Sequence, residues 1–337
     1  MKKLFIALAL FCVAVSCERP FDFQSESGAC LYMQAVVDNG YLVVSPHYAV
    51  PVNGGEAPSG PIRMDMQVNG FSQPMETLLM AGDEVTVHLE ADGVPGASGS
   101  TRVPSAPLVI DWTQERVQVD TIDATRISFM LDHAPQEGEY FGIQILMETS
   151  VLYMDGSMLE QNSWLTPGYI LSAAESGKFD LADFMQVNFD GSTLGGKEFR
   201  PLTLVTRKQF EGEVYSFYLN SFDTGMLDRL RDGMSGGETG VTGGGIASGE
   251  IGNGQGKEDP DPGRIPIGLE TAYHFYFASL SSEFYQYAKT LYQSNFDFLS
   301  NMGFTPANFT WSNVEGGLGF VGAISGVWIG PLEINIK

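Results

Sequence analysis

The stretch LYMQAVVDNGYLVVSPHY, Leu31–Tyr48, decides the fold class. Two β-rich runs, Leu31–Val37 and Tyr41–Tyr48, flank Asp38-Asn39-Gly40, and an Asn-Gly pair between such runs marks a tight hairpin. The same grammar repeats downstream. In Ile62–Val68 the apolar Ile62, Met64, Met66 and Val68 alternate with Arg63, Asp65 and Gln67, the period of a strand with one buried face. Asn69-Gly70 ends that run. Gly82-Asp83 opens Glu84–Ala91, where Val85, Val87 and Leu89 alternate with Thr86, His88 and Glu90, and Asp92-Gly93 closes it. Short strands between turns at this spacing predict an Ig-like β-sandwich over residues 30–105.

Gly93–Pro107 is rich in Gly and Pro and reads as a connector. Beyond it, Val117–Ile122, Thr125–Leu131, Tyr140–Tyr153, Phe199–Thr206 and Val214–Leu219 again read as extended, with short helices expected at Asp180–Met185 and Met226–Arg231. Residues 106–337 are therefore expected to form a second, larger β-rich domain, and the whole chain to be mainly β. Asp232–Gly268 interrupts the pattern with 13 Gly in 37 residues and no aromatic. It reads as a flexible insertion within the second domain. Its acidic cluster Glu258, Asp259 and Asp261 is the candidate ligand or partner loop, although it lacks the spacing of a calcium loop.

Tyr273–Phe304 holds 11 Phe or Tyr in 32 residues. Tyr273–Ala278 reads as a buried strand, and Ser281 as the N-cap of a helix from Ser282 to Met302. Phe284, Ala288, Leu291, Phe298 and Met302 share one helical face, the pattern of a core stripe. Tyr285, Tyr292 and Phe296 are the alternative aromatic surface for a carbohydrate or partner. Gly303 and Pro306 supply the stop. Phe320–Ile336 reads as terminal strands.

The chain opens with a leader. Met1-Lys2-Lys3 and the apolar run Leu4–Val15 form a charged region and a short hydrophobic region, too short for the roughly 20 residues that cross a bilayer. The leader, residues 1–16, ends Ala14-Val15-Ser16 and is followed at once by Cys17, which resembles a bacterial lipobox. Cys17 is thus the expected site of lipid attachment, with an acyl chain such as palmitate as the only membrane anchor and residues 17–29 as a tether. Cys12 leaves with the leader, so Cys30 is the remaining thiol and is expected to be buried and structural. Glu18 and Asp22 loosely resemble acidic surface-export signals, interrupted by Arg19 and Pro20.

The chain of 337 residues carries a net charge of −23, with 43% hydrophobic residues. That is ample for a large core, and the acidity argues against a nucleic-acid partner. No phosphate-binding loop, nucleophile elbow, His-Glu-x-x-His or paired Cys motif is present, and His47, His88, His133 and His274 lack metal-ligand spacing. No metal, cofactor or catalytic residue is expected. A hydrolase with an unmarked pair of carboxylates is the alternative reading.

Leu280-Ser281-Ser282-Glu283-Phe284-Tyr285-Gln286-Tyr287 and Trp311-Ser312-Asn313-Val314-Glu315-Gly316-Gly317-Leu318-Gly319-Phe320 resemble the C-terminal signature of a Bacteroidetes lipoprotein family, domain of unknown function 4249. Gly82-Asp83-Glu84-Val85 and Thr101-Arg102-Val103-Pro104-Ser105-Ala106-Pro107 are similar to its earlier segments. The resemblance supplies no catalytic residue. It implies an outer-membrane lipoprotein with an accessory role beside TonB-dependent receptors in nutrient uptake. Asp120-Thr121-Ile122 resembles a short Bacteroidetes O-glycosylation motif, with Thr121 as the candidate acceptor. Read by itself, Gly316-Gly317-Leu318-Gly319 is expected to be a structural turn or bulge.

Overall fold

A computed structural model describes residues 28–50, 58–119, 122–165, 186–187, 202–220, 266–296 and 310–332. The strands are β1 (Cys30–Asp38), β2 (Tyr41–Ala49), β3 (Arg63–Val68), β4 (Phe71–Gln73), β5 (Glu84–Glu90), β6 (Ala97–Arg102), β7 (Val109–Val119), β8 (Ile122–Leu131) and β9 (Tyr140–Tyr153). They continue with β10 (Met158–Leu165), β11 (Gln186–Val187), β12 (Leu202–Thr206), β13 (Phe210–Glu211), β14 (Val214–Asn220), β15 (Pro266–Leu280), β16 (Val314–Glu315) and β17 (Leu318–Leu332). Among the described residues, the one α-helix, α1 (Ser282–Phe296), sits between β15 and β16, and a short 3-10 turn spans Arg207–Gln209. The mainly β expectation holds. Both Asn-Gly pairs form the expected hairpin turns: Asn39 and Gly40 have φ of 47° and 86°, and Asn69 and Gly70 have 53° and 81°. That double left-handed pattern matches the twist of the flanking strands.

The described strands form three sheets. The central sheet runs β11-β12-β9-β15-β17-β1-β2, with β10 also paired to β9. A five-stranded sheet runs β16-β6-β5-β3-β4, and a four-stranded sheet runs β13-β14-β8-β7. The pairing registers place both smaller sheets on the same face of the central one. Val85, Val87 and Leu89 of β5 meet Leu31, Met33, Ala35 and Val37 of β1 and Val321 and Ala323 of β17. Ile127 and Phe129 of β8 and Tyr215 and Phe217 of β14 meet Phe141, Ile143, Phe275 and Phe277 of β9 and β15. The opposite face of the central sheet is covered by α1, through Phe284, Tyr285, Tyr287 and Ala288. Alternation along β15 explains the division: Tyr273, Phe275 and Phe277 face the small sheet, while Tyr276, Ala278 and Leu280 face the helix side.

The N-terminal sandwich is closed by the C-terminal strand. The first half of β17, Leu318–Ile324, runs parallel to β1, and its second half pairs antiparallel with β15 up to Tyr273–Leu332. Residues 30–105 therefore share their core with Val314, Val321 and Ala323. β15 starts at Pro266, inside the range 232–268 read as an insertion, because its first residues pair with Leu152 and Tyr153 of β9. Residues 221–265 lie outside the described residues, as do the helices expected at Asp180–Met185 and Met226–Arg231. Cys30 is half-buried rather than buried, since it is the first residue of β1. Burial still pushes its thiol pKa up.

Candidate functional site

The outer face of the five-stranded sheet carries an open groove of about 540 Å³ with a mixed lining. Strand alternation sends Val85, Val87 and Leu89 inward, so Thr86, His88 and Glu90 of β5 point the other way. The register then sets rows across three strands. Asp65 lies opposite His88, which lies opposite Ser98, and Arg63 lies opposite Glu90 one row away. Gln67 completes the polar lining, and Met64, Leu89, Gly96 and Ala97 make up the rest of the wall. The Arg63 guanidinium lies 3.1 Å from Asp92 Oδ1 and 3.9 Å from Glu90 Oε2. These pairs are exposed and contribute little to stability, so both partners can turn to a ligand.

The chemistry available is hydrogen bonding. Asp65 and Glu90 accept, Arg63 and Gln67 donate, and His88 and Ser98 can do either. The row Asp65-His88-Ser98 has the residue types of a nucleophilic triad without its connections. A triad needs the carboxylate to orient the imidazole, and here Asp65 Oδ1 instead accepts the Ser72 hydroxyl at 2.7 Å. The other histidines are dispersed: His47 pairs with Ser45, His274 with Glu148 at 2.9 Å, and His133 with Asp132 and Glu139. The Asp132 hydrogen bond raises the His133 pKa above its ordinary value. Among the described residues, no group of three or more His, Cys, Asp or Glu is placed to hold a metal ion.

The signature segment is a structural joint. Asn313 imitates a strand edge: its Nδ2 donates to Ser100 O at 2.7 Å and Val321 O at 2.9 Å, and its Oδ1 accepts Val321 N at 2.9 Å. One side chain thus ties β6 to β17. Gly319 has φ 106°, and a Cβ there would overlap the Met33 carbonyl oxygen of β1. Ser281 caps α1 by accepting Phe284 N at 3.2 Å, accepts Ala323 N at 3.1 Å, and receives the Thr101 hydroxyl at 2.9 Å. Trp311 N donates to Thr290 Oγ1 of α1 at 2.8 Å.

The described part of the stripe, Phe284, Ala288 and Leu291, belongs to the core, while Phe298 and Met302 lie outside the described residues. Tyr285 is buried and stacks on Tyr140 at 4.0 Å, and Tyr287 stacks on Phe320 at 3.7 Å. This removes Tyr285 from the alternative carbohydrate surface; the side chains of Tyr292 and Phe296 are outside the described residues. Cys17, Thr121, Glu258, Asp259 and Asp261 also lie outside them. The groove itself was not read from sequence. Its signal was the polar half of the alternation in β3 and β5, which the sequence displays but does not bring together.

Fold and groove define a class: a mainly β protein of two sandwiches sharing one helix-backed sheet, with a solvent-facing groove. Within that class the chain belongs to the family described as Domain of unknown function (DUF4249), whose sequence profile matches residues 23–327. Comparison with curated proteins and comparison with solved structures each returned no match.

Proposed function

We propose that this chain is a non-enzymatic lipoprotein of the outer membrane, an accessory or ligand-binding component of a TonB-dependent nutrient-uptake system. The observation that carries the reading is the leader ending at Ser16-Cys17, which would leave a lipid on the first residue of the mature chain. Thirteen residues, 17–29, separate that anchor from β1, a reach of at most about 45 Å when extended. Anchoring confines the protein and any receptor to one surface and raises their effective concentration, so a modest interface suffices. The groove supports a ligand-handling role. It offers donors and acceptors on a rigid sheet, where a polar nutrient would be held by hydrogen bonds. The resemblance to Bacteroidetes lipoproteins agrees with this placement, and the acidic residues after Cys17 favour the cell-surface side.

The test is affinity purification of the tagged chain from native outer membranes in mild detergent, with Cys17→Ala alongside. Expected is near-stoichiometric recovery of one TonB-dependent receptor with the unaltered chain, and release of Cys17→Ala into the soluble fraction. Recovery of the lipoprotein alone in several gentle detergents overturns the receptor role. Retention of Cys17→Ala in high-salt-washed membranes overturns the lipid anchor.

A further inference from the structure

The end of the N-terminal sandwich opposite Cys30 presents four large apolar side chains to solvent. Tyr41 is 59% exposed, Leu78 54%, Met80 62% and Trp328 54%. All four stand at the Asn39-Gly40 end, Tyr41 and Trp328 toward the helix side of the central sheet, and Leu78 and Met80 flanking Leu79, which packs on its sandwich side. Leu78 lies over Gly40, where an added Cβ would come within 2.9 Å of its Cδ1, and Leu79 N donates to Gly40 O at 2.9 Å. Tyr41 follows the turn directly. Asn39 Nδ2 donates to the Tyr276 hydroxyl at 3.0 Å, and the Tyr276 ring meets Trp328 at 5.2 Å. Asn39 Oδ1 also accepts Gly326 N at 2.9 Å, and Asn39 N donates to Ile324 O at 3.0 Å. Tyr41 and Trp328 are thus carried on strands β2 and β17, while Leu78 and Met80 sit on the loop between β4 and β5, which the Leu79 N bond ties to the turn.

Trp and Tyr on a rigid frame are the side chains that dominate protein interfaces, because they bury large area at small entropic cost. The surroundings select the kind of partner. Asp38, Glu76 and Asp83 stand about the patch, with Arg102 as a cation at the same end, donating to Gly82 O. An acidic rim opposes a second copy of this chain, whose net charge is also −23, and opposes anionic lipid headgroups. We infer that this end is a protein-docking surface for a partner with an apolar socket rimmed by Lys or Arg. The inference rests on the receptor role proposed above and assigns that contact to the Asn39-Gly40 end, away from the groove at the Arg63–Ala97 end.

The experiment places a photo-crosslinking amino acid at Trp328, at Tyr41 and, as a control, at Thr113 on exposed β7, in the full chain in native outer membranes. Recovery of the receptor is measured in parallel for Trp328→Ser, for Leu78→Asp with Met80→Asp, and for Glu76→Lys. Expected are cross-links from positions 328 and 41, and none from 113, to the receptor that the unaltered chain recovers. Receptor recovery should fall tenfold or more for the apolar variants and several-fold for Glu76→Lys, with melting temperatures unchanged for Trp328→Ser and Glu76→Lys. Undiminished recovery by these two variants overturns this docking surface while leaving the receptor role intact. No receptor recovered by the unaltered chain overturns both. Cross-linked homodimers, or flotation with phosphatidylethanolamine–phosphatidylglycerol vesicles that the apolar variants abolish, assign the patch to self-association or to lipid and also overturn the proposal.

Discussion

Asn313 illustrates how one side chain can stand in for a length of backbone. Its amide satisfies Ser100 O, Val321 O and Val321 N, groups that would otherwise lack these partners where β6 and β17 approach. Asn313→Ala should therefore cost about 1–3 kcal/mol, read as a lower denaturation midpoint at unchanged slope. Gly319→Ala should be far more severe. It places a side chain at φ 106° and into the Met33 carbonyl, and soluble expression should collapse. Tyr276 offers a test by pH. Burial pushes its hydroxyl up to about 12, above the ordinary value of 10. The folded state thus holds the proton more tightly than the unfolded state. The associated stability is present below pH 10 and is lost as pH rises from 10 towards 12. Tyr276→Phe should flatten that alkaline loss, measured by chemical denaturation at pH 8 and pH 11. A parallel decline in both proteins would assign the loss to other groups, of which Tyr287, also raised by burial, is one.

At the scale of elements, α1 is held by its first residues as much as by its aromatic face. Ser281 joins the helix cap to β17 and, through Thr101, to β6. Glu283 accepts from the same Thr101 hydroxyl at 3.0 Å and places a carboxylate in the first helical turn. Ser281→Ala should cost about 1–2 kcal/mol, as for a lost N-cap. Amide exchange should speed up across both α1 and the first half of β17, because the hydroxyl serves both. Acceleration confined to α1 would show that the link to β17 contributes nothing. Gly322 explains why the helix lies so close: a Cβ there would meet the Phe284 backbone at 3.0 Å. The stop of the helix is another matter, since Gly303 and Pro306 lie beyond the described residues.

For the whole molecule, the decisive feature is that β17 belongs to both sandwiches. Residues 30–105 without it would expose the faces of Leu31, Met33, Ala35 and Val37 that Val321 and Ala323 cover. A fragment ending at Pro107 should therefore be unfolded or aggregated, and co-expression with residues 310–332 fused through a linker should restore dispersed amide resonances. A well-folded fragment by itself would show that the sandwich closes without its C-terminal strand. Much of this molecule is legible locally. Hairpin turns at Asn39-Gly40 and Asn69-Gly70, alternation in β3 and β5, the Ser281 cap and the core stripe of Phe284, Ala288 and Leu291 follow from backbone sterics and side-chain period, which act over a few residues. The proposed leader and lipid site at Cys17 likewise rest on local signals, as does the acidity that argues against nucleic acid. What tertiary structure alone decided is the joining of distant segments. Parallel pairing of β1 with β17 spans nearly the whole chain, and no residue period encodes which remote strand a β-rich run will choose. The polar row of Asp65, His88 and Ser98 and the apolar cluster of Tyr41, Leu78, Met80 and Trp328 exist for the same reason. Each residue is ordinary in its own strand or loop, and only strand register and the closure of the central sheet bring the first group to one row and the second to one end of the sandwich.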